Sequence, residues 1–235
     1  MAKRLLLISN STLHGSGYLD HCADEIQSFL GKEIKSVLFV PYARPGGLSH
    51  DDYTSKAKER FAELGYDLKG VHEFDDPKEA VRKTESVFIG GGNTFVLVDG
   101  LQASGILDVI RERVLGGMPY IGTSAGSNVA CPTIMTTNDM PIRQPHCFNA
   151  LDLTNFQINA HYLDPDPNST HNGETRETRI KEFHTINEIP VVGLREGCMV
   201  HIEADEILLK GTTGARIFRK DQEPTEIMPI SKLEF

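Results

Sequence analysis

The sequence is poor in cysteine and contains no long apolar run. Its four cysteines show no CxxC spacing, which argues against a disulfide or zinc framework and predicts reduced thiols. No run of about 18 apolar residues is present, so we expect no membrane span. The apolar run near the start covers residues 5–8, fewer than the roughly 7 residues of a signal-peptide core. We therefore expect a cytoplasmic protein without a membrane partner.

Positive charge is also scarce. The chain has 24 Lys and Arg against 33 Asp and Glu, a formal net charge of −9, and its basic residues form no cluster larger than a pair such as Lys3-Arg4. Nucleic-acid binding depends on concentrated positive charge, so we expect no nucleic-acid partner. The sequence shows no internal repeat, low-complexity tract or linker. Residues 1–235 are therefore expected to form a single domain.

Short apolar runs alternate with helical patterns in the first half of the chain. Runs such as RLLLIS (4–9) and SVLFVPY (36–42) are typical of buried strands. Residues 51–65 begin with acidic residues and end at a glycine, as is typical of a helix. One helix, at residues 106–117, is expected between the strands near residues 86 and 120. This alternation predicts an α/β protein in which a mostly parallel sheet carries helices on both faces. The residues after 197 are predicted to form antiparallel hairpins.

Two glycine-rich corners follow predicted strands, GGGN at residues 90–93 and TSAG at residues 123–126. In open α/β sheets the functional site lies outside the carboxyl ends of the strands, and both corners have that position. The later strands FQINAHY and PVVGLREG place His161 and Glu196 near their ends. We therefore expect Ser124, His161 and Glu196 to lie at one edge of the sheet.

These three residue types match the requirements of a serine nucleophile. A serine hydroxyl is a weak nucleophile and needs a base, for which histidine is the usual residue. A carboxylate orients the imidazole and stabilises it once it is charged. The backbone amides of Ala125 and of Gly91 or Gly92 are expected to bind the oxyanion. The nine histidines, His171 among them, show no HExxH spacing, so we expect no metal.

Each of these residues also has an ordinary structural interpretation. Ser124 alone is an equally good helix N-cap, His161 could be a surface histidine, and Glu196 could be a solvated charge. The GGGN corner could bind phosphate, but it lacks the Lys-Ser/Thr of a P-loop. GTSAG also matches the G-x-S-x-G elbow of α/β-hydrolases, which have the order Ser, acid, His, whereas the order here is Ser, His, Glu. The joint placement of the three residues favours the catalytic interpretation.

Seven segments of the chain are distinctive when they are taken together. They are SNST, GGGNTF, YIGTSAGSN, ACPTIMTTNDMPI, QINAH, GETRETRI and GLREG. With these segments the chain resembles the aspartyl dipeptidases, also called the peptidase E family. The resemblance extends from Ser9 to Glu196 and implies a class I glutamine-amidotransferase-like, flavodoxin-type three-layer sandwich. It also implies a serine peptidase, without metal or other cofactor, that hydrolyses dipeptides whose first residue is aspartate (Asp-X).

The resemblance also implies roles for individual residues. Thr123 and Ser127 stand where the bacterial elbow commonly has Trp and Ala, and neither change removes a catalytic group. Arg143 is a second candidate for binding the substrate carboxylate. The roles carried over are nucleophile for Ser124, base for His161, third triad member for Glu196, oxyanion donor for Gly92 and Ala125, and substrate recognition for Asp139 and Arg176.

Other functions remain open at this point. A cyanophycinase-like enzyme would use the same fold and serine chemistry on acidic aspartyl polymers. A second alternative is a non-catalytic relative of the family that only binds an acidic metabolite. A third is an esterase with the α/β-hydrolase fold. The sequence is compatible with a monomer or a homodimer.

Overall fold

The computed structural model describes residues 2–168, 170 and 173–235. In this part of the chain, twelve strands form two sheets. In chain order they are β1 (Arg4–Ile8), β2 (Ser36–Val40), β3 (Asp67–Gly70), β4 (Ser86–Ile89), β5 (Tyr120–Thr123), β6 (Gln157–Ala160), β7 (Val191–Leu194), β8 (Cys198–Glu203), β9 (Glu206–Gly211), β10 (Ala215–Phe218), β11 (Thr225–Ile227) and β12 (Ser231–Lys232).

The helices lie between these strands, as the alternating sequence pattern predicts. Several begin at a side-chain cap; Ser49 and Asn93, for example, accept hydrogen bonds from backbone amides of the helices that follow them. The α-helices are α1 (Ala23–Leu30), α2 (His50–Glu63), α3 (Pro77–Lys83), α4 (Thr94–Ala103), α5 (Leu107–Leu115), α6 (Ala125–Asn128) and α7 (Arg176–Phe183).

The main sheet has the strand order β12-β9-β8-β1-β5-β4-β2-β3. Strands β1 to β5 pair in parallel with one another, and β8, β9 and β12 extend the sheet in antiparallel fashion. The carboxyl ends of β5, β4 and β2 are thus neighbours at one edge. The predicted α/β class, with a mostly parallel sheet and a C-terminal antiparallel extension, is confirmed.

Two apolar cores hold helices on opposite faces of this sheet. In β1, Leu5 and Leu7 pack with the apolar residues of α3, α4 and α5, whereas Leu6 and Ile8 pack with those of α1 and α2. This alternation follows from the two-residue period of a strand, and it requires a strand to be apolar on both faces. The layers are therefore helices, sheet and helices.

A second, four-stranded sheet has the order β11-β10-β7-β6 and was not expected from the sequence. Strands β6 and β7 are parallel, and β10 and β11 are antiparallel additions. Ile158 and Val192 on one face belong to the same core as α4 and α5, and Val191 on the other face packs with α7. The small sheet is thus packed against one side of the main sandwich.

The region after the glycine corner also differs from the expectation. Two helices, α4 and α5, occupy the place where one was predicted. Helix α4 is apolar on nearly all sides and so lacks the amphipathic period that marks a surface helix. Gly105, in a left-handed conformation with a φ of +67°, separates the two helices.

The turn from β5 into α6 tolerates no side chain at Gly126. A Cβ there would overlap the backbone carbonyl of Ile89 in β4, and neither group can move without disturbing the sheet. We expect Gly126→Ala to lower the free energy of unfolding by about 3 kcal/mol or more, as severe overpacking does. Chemical denaturation measures this change. Gly46→Ala, where the added Cβ meets no atom within 4 Å, is the control, and equal stability of the two variants would contradict the packing argument.

Candidate active site

Ser124 lies on a strained backbone turn at the end of β5. Its φ is 52° and its ψ is −109°, a conformation that residues other than glycine rarely adopt. Its amide donates to the carbonyl of Ile8 at 2.9 Å, and α6 starts at the next residue. The turn thereby raises the Ser124 side chain above the carboxyl edge of the sheet, as in the nucleophile elbow of serine hydrolases.

A chain of two hydrogen bonds joins the three residues that the sequence singled out. The Ser124 Oγ and the His161 Nε2 are 2.9 Å apart, and the His161 Nδ1 is 2.6 Å from the Glu196 Oε1. The carboxylate can only accept, so Nδ1 carries the proton and Nε2 is free to accept the serine hydroxyl hydrogen. The imidazole and carboxylate side chains are 42% and 47% exposed, which leaves the pair open to a substrate.

His161 and Glu196 come from the small sheet and not from the sheet that carries Ser124. They follow β6 and β7, and His161 has a left-handed φ of 53°. The expectation that all three lie at the edge of one sheet is therefore wrong, although they do meet. The sequence pattern shows where a strand ends but not which sheet the strand joins.

Ser9 and Asn10, at the end of β1, tie the small sheet to the main sheet. The Ser9 hydroxyl accepts from the His161 amide at 3.0 Å and donates to the Leu194 carbonyl at 2.8 Å. The Asn10 Oδ1 accepts from the Gly197 amide at 2.9 Å, next to Glu196. Sequence analysis gave these residues no site role, because their partners lie more than 150 residues away in the chain.

The glycine corner after β4 lies directly beside Ser124. A Cβ on Gly91 would come within 3.1 Å of the Ser124 Cβ, and Gly92, with a φ of +146°, passes so close to Ala43 that a Cβ would overlap its carbonyl. Among the described residues, neither the Gly92 amide nor the Ala125 amide donates a hydrogen bond. Two unoccupied donors beside a hydroxyl are what an oxyanion requires.

Asp139 lies at the start of α4, beside the glycine corner. Its Oδ2 accepts from the Thr94 amide at 2.7 Å, the Thr94 hydroxyl at 2.6 Å and the Thr137 hydroxyl at 3.1 Å. One carboxylate oxygen therefore binds the first amide of the helix. The other oxygen, Oδ1, has no hydrogen-bond partner in the described part of the chain and remains available to a ligand.

Arg176, the first residue of α7, is partly buried and pairs with no carboxylate in the described ranges. The two glutamates nearest to it in the chain have other partners: Glu174 pairs with Arg179 at 3.6 Å, and Glu177 pairs with Lys181 at 2.8 Å. Burial and the neighbouring Arg179 lower the pKa of Arg176, while the charge of Asp139 acts in the opposite direction. Arginine nevertheless stays protonated at any physiological pH.

Arg143, the second candidate for binding a carboxylate, already has a partner. Its Nε is 3.3 Å from the Asp99 Oδ2 on α4. Asp99 is a protein carboxylate and would compete with the carboxylate of a substrate. The geometry therefore favours Arg176 over Arg143 for that role.

The described residues contain no group of three or more His, Cys, Asp or Glu side chains placed to hold a metal ion. His171 lies outside these residues. Cysteine is a poor alternative nucleophile near the elbow, since burial raises the pKa of Cys131 to about 12. No helix in the described ranges is long and apolar enough to cross a membrane.

The fold and the site define the class of protein, and comparison with known proteins gives the family. A hydroxyl, an imidazole and a carboxylate in hydrogen-bond contact above an α/β sheet are typical of a serine hydrolase. The family model for peptidase family S51 matches residues 5–210. The chain belongs to peptidase family S51.

Individual relatives agree with this assignment. The chain is 48% identical to "Peptidase E" of Streptomyces coelicolor, over 97% of this chain and 93% of that protein. It is 44% identical to a Drosophila melanogaster protein named "Probable alpha-aspartyl dipeptidase", over 100% of this chain and 97% of that protein. A solved structure of a peptidase from an acI-B1 Actinobacterium has the same fold, with a TM-score of 0.74 at 17% identity and coverage of 100% and 98%.

Removal of the Ser9 hydroxyl tests whether this residue positions His161. We expect Ser9→Ala to lower the kcat of peptide hydrolysis on the order of 10-fold, because the His161 amide loses its partner and the imidazole shifts relative to Ser124. The loss of a buried hydrogen bond should cost about 1–2 kcal/mol of stability.

Ser127→Ala is the matched control for that variant. It also removes a buried hydroxyl, one that lies 2.7 Å from the Ile8 carbonyl, but it has no contact with His161. Thermal melts and steady-state kinetics on both variants separate the two effects. Equal kcat values for the two variants would contradict a positioning role for Ser9.

Proposed function

We propose that the protein is an alpha-aspartyl dipeptidase that cleaves Asp-X dipeptides through a Ser-His-Glu triad and an acyl-enzyme intermediate. The observation that carries the proposal is the hydrogen-bond chain from Ser124 through His161 to Glu196, beside the unoccupied amides of Gly92 and Ala125. The name of the Drosophila relative supports the substrate class.

The first half of the reaction forms the acyl-enzyme. The Ser124 Oγ attacks the carbonyl carbon of the N-terminal aspartate, and its proton moves to the His161 Nε2. Glu196 keeps the other ring nitrogen protonated and stabilises the imidazolium. The carbonyl oxygen becomes an oxyanion and accepts hydrogen bonds from the amides of Gly92 and Ala125.

The second half releases both amino acids. The imidazolium donates its proton to the nitrogen of the scissile bond, the C–N bond breaks, and the second amino acid leaves with a neutral amine. Water then attacks the Ser124 ester while His161 takes one of its protons. Return of that proton to the Ser124 Oγ as the ester bond breaks releases aspartate and restores the enzyme.

Specificity for aspartate requires a cation for its side chain and an anion for its free amine. The Arg176 guanidinium matches a carboxylate through two parallel hydrogen bonds, and no protein carboxylate in the described ranges forms an ion pair with it. The Asp139 Oδ1 is the candidate acceptor for the substrate ammonium. A requirement for a free amine would restrict the enzyme to the N-terminal residue of its substrate.

A panel of dipeptides tests the proposed function directly. We expect Asp-Leu to be cleaved and Asn-Leu, Glu-Leu and N-acetyl-Asp-Leu to be poor substrates. The side-chain amide of Asn-Leu leaves Arg176 without a charge partner, and the longer side chain of Glu-Leu displaces the scissile carbonyl by about 1 Å. The acetyl group of N-acetyl-Asp-Leu removes the positive charge of the amine. Liberated leucine is the readout. Equal cleavage of Asp-Leu and Asn-Leu, or hydrolysis of p-nitrophenyl esters without any Asp-Leu cleavage, would contradict the proposal.

Arg176→Met tests the residue assigned to the aspartate side chain. We expect kcat/KM for Asp-Leu to fall about 10- to 100-fold, the loss typical of a hydrogen bond between charged groups. The Asp-Leu to Asn-Leu ratio should fall by a similar factor, because the site no longer selects an acid. Arg143→Met is the comparison variant. A ratio that changes in Arg143→Met and not in Arg176→Met would reassign the role to Arg143.

A further inference from the structure

Arg44 is one of two arginines that have neither a carboxylate nor a carbonyl partner among the described residues. All of the twelve arginines except Arg44 and Arg176 form an ion pair or donate a hydrogen bond within these residues. The Arg44 guanidinium lies over the ring of Tyr53, 5.0 Å from its centroid. A guanidinium has five N–H donors, more than the Tyr53 ring and hydroxyl can use, so donors remain to bind an anion.

Arg44 is fixed to the same glycine corner that borders Ser124. The carbonyl of the preceding residue, Ala43, accepts from the Asn93 amide at 2.7 Å. The hydroxyl of Tyr53, the residue beneath Arg44, donates to the Gly91 carbonyl at 3.2 Å. The residue before Arg44 and the tyrosine beneath its guanidinium are therefore both hydrogen-bonded to residues 91–93.

The order of strands gives the lateral separation between the strand that precedes Arg44 and the strand that precedes the nucleophile. Ser124 follows β5, the glycine corner follows β4, and Arg44 follows β2 after a few residues, and these three strands are consecutive in the sheet. Two strand spacings amount to about 10 Å. A substrate bound at Ser124 that extends along this edge toward β2 would therefore approach the Arg44 side chain.

The carboxylates closest to Arg44 in the chain have other partners. Asp51 is held by the His72 Nε2 at 2.9 Å, and Asp52 accepts from the Ser49 hydroxyl at 2.7 Å. Although the protein has a net charge of −9, no carboxylate of the described residues forms an ion pair with Arg44. Its position indicates a binding site for an anionic group of the substrate.

An Asp-X dipeptide carries two carboxylates, and Arg176 accounts for one of them. We propose that Arg44 binds the other, the C-terminal carboxylate of the leaving amino acid; this assignment rests on the proposed dipeptidase function. In a dipeptide this carboxyl carbon lies about 2.5 Å from the scissile nitrogen, and each further residue moves it away by roughly 3.5 Å. Arg44 therefore selects substrates of two residues.

Substrates with and without the C-terminal carboxylate test the assignment. We expect Arg44→Met to lower kcat/KM for Asp-Leu about 10- to 100-fold, mainly through KM, since the contact persists from ground state to transition state. The value for Asp-Leu-amide, which lacks that carboxylate, should change less than about 3-fold, within the spread of weak indirect effects. Arg44→Lys keeps the charge and should recover part of the loss on Asp-Leu.

Arg82→Met is the matched control, because it removes an arginine from the exposed side of α3, where Arg82 pairs with Glu79 at 3.6 Å. It should leave both substrates unaffected. A loss in Arg44→Met that is equal for Asp-Leu and Asp-Leu-amide, or no loss for either, would overturn the role of Arg44 while the dipeptidase function stands. A wild-type protein that cleaves neither substrate would overturn the proposed function as well.

Discussion

The hydrogen bond between Ser124 and His161 spans two sheets, and the proposed chemistry depends on how these sheets are packed. Ser124 belongs to the main sheet, and His161 and Glu196 belong to the small one. Their relative position is set by an apolar core that both sheets share and by the Ser9 hydroxyl, which contacts the small sheet directly. A displacement of about 1 Å between the sheets would separate nucleophile and base, which is sufficient to lose most of the rate.

Both of these residues have a strained backbone, and they are two of the seven non-glycine residues with a positive φ in the described part of the chain. Ser124 and His161 both have left-handed φ values, of 52° and 53°, although neither is a glycine. Each such residue costs on the order of 1–3 kcal/mol, which the surrounding packing must offset. Gly126 and Gly92 make that packing possible, because each lies against a backbone carbonyl that a side chain would displace. The elbow and the adjoining amides are therefore positioned before a substrate binds.

The distribution of charge suits an acidic substrate in spite of the negative net charge. Most acidic side chains that could compete for the site arginines are occupied elsewhere: Glu177 pairs with Lys181 and Arg216, and Asp164 pairs with Arg195. Arg176 and Arg44 remain without such partners in the described ranges. An acidic protein can thus keep positive charge at its site when the nearby carboxylates form ion pairs with other cations.

The sequence predicted much of the fold, and three of its candidate site residues, Ser124, His161 and Glu196, lie in hydrogen-bond contact. The alternation of strands and helices indicated the parallel sheet, and the glycine corners indicated its functional edge. The small sheet and the role of Ser9 were missed, because both depend on pairings between residues far apart in the chain. Helix α4 was missed because an apolar helix has no amphipathic period. Whether Arg176, Arg143 and Arg44 form ion pairs with protein carboxylates could be determined only from three-dimensional contacts.

The central claim is that Ser124 is the nucleophile, and covalent labelling tests it most directly. A fluorophosphonate reacts with an activated serine hydroxyl, which displaces fluoride and forms a stable phosphonate ester. Intact mass and peptide mapping should show one adduct, on Ser124, with none in Ser124→Ala and much slower labelling in His161→Ala. Ser127→Ala, which alters a neighbouring serine of the same turn, should label like the wild type. An adduct at another residue, or unchanged labelling of Ser124→Ala, would contradict the account.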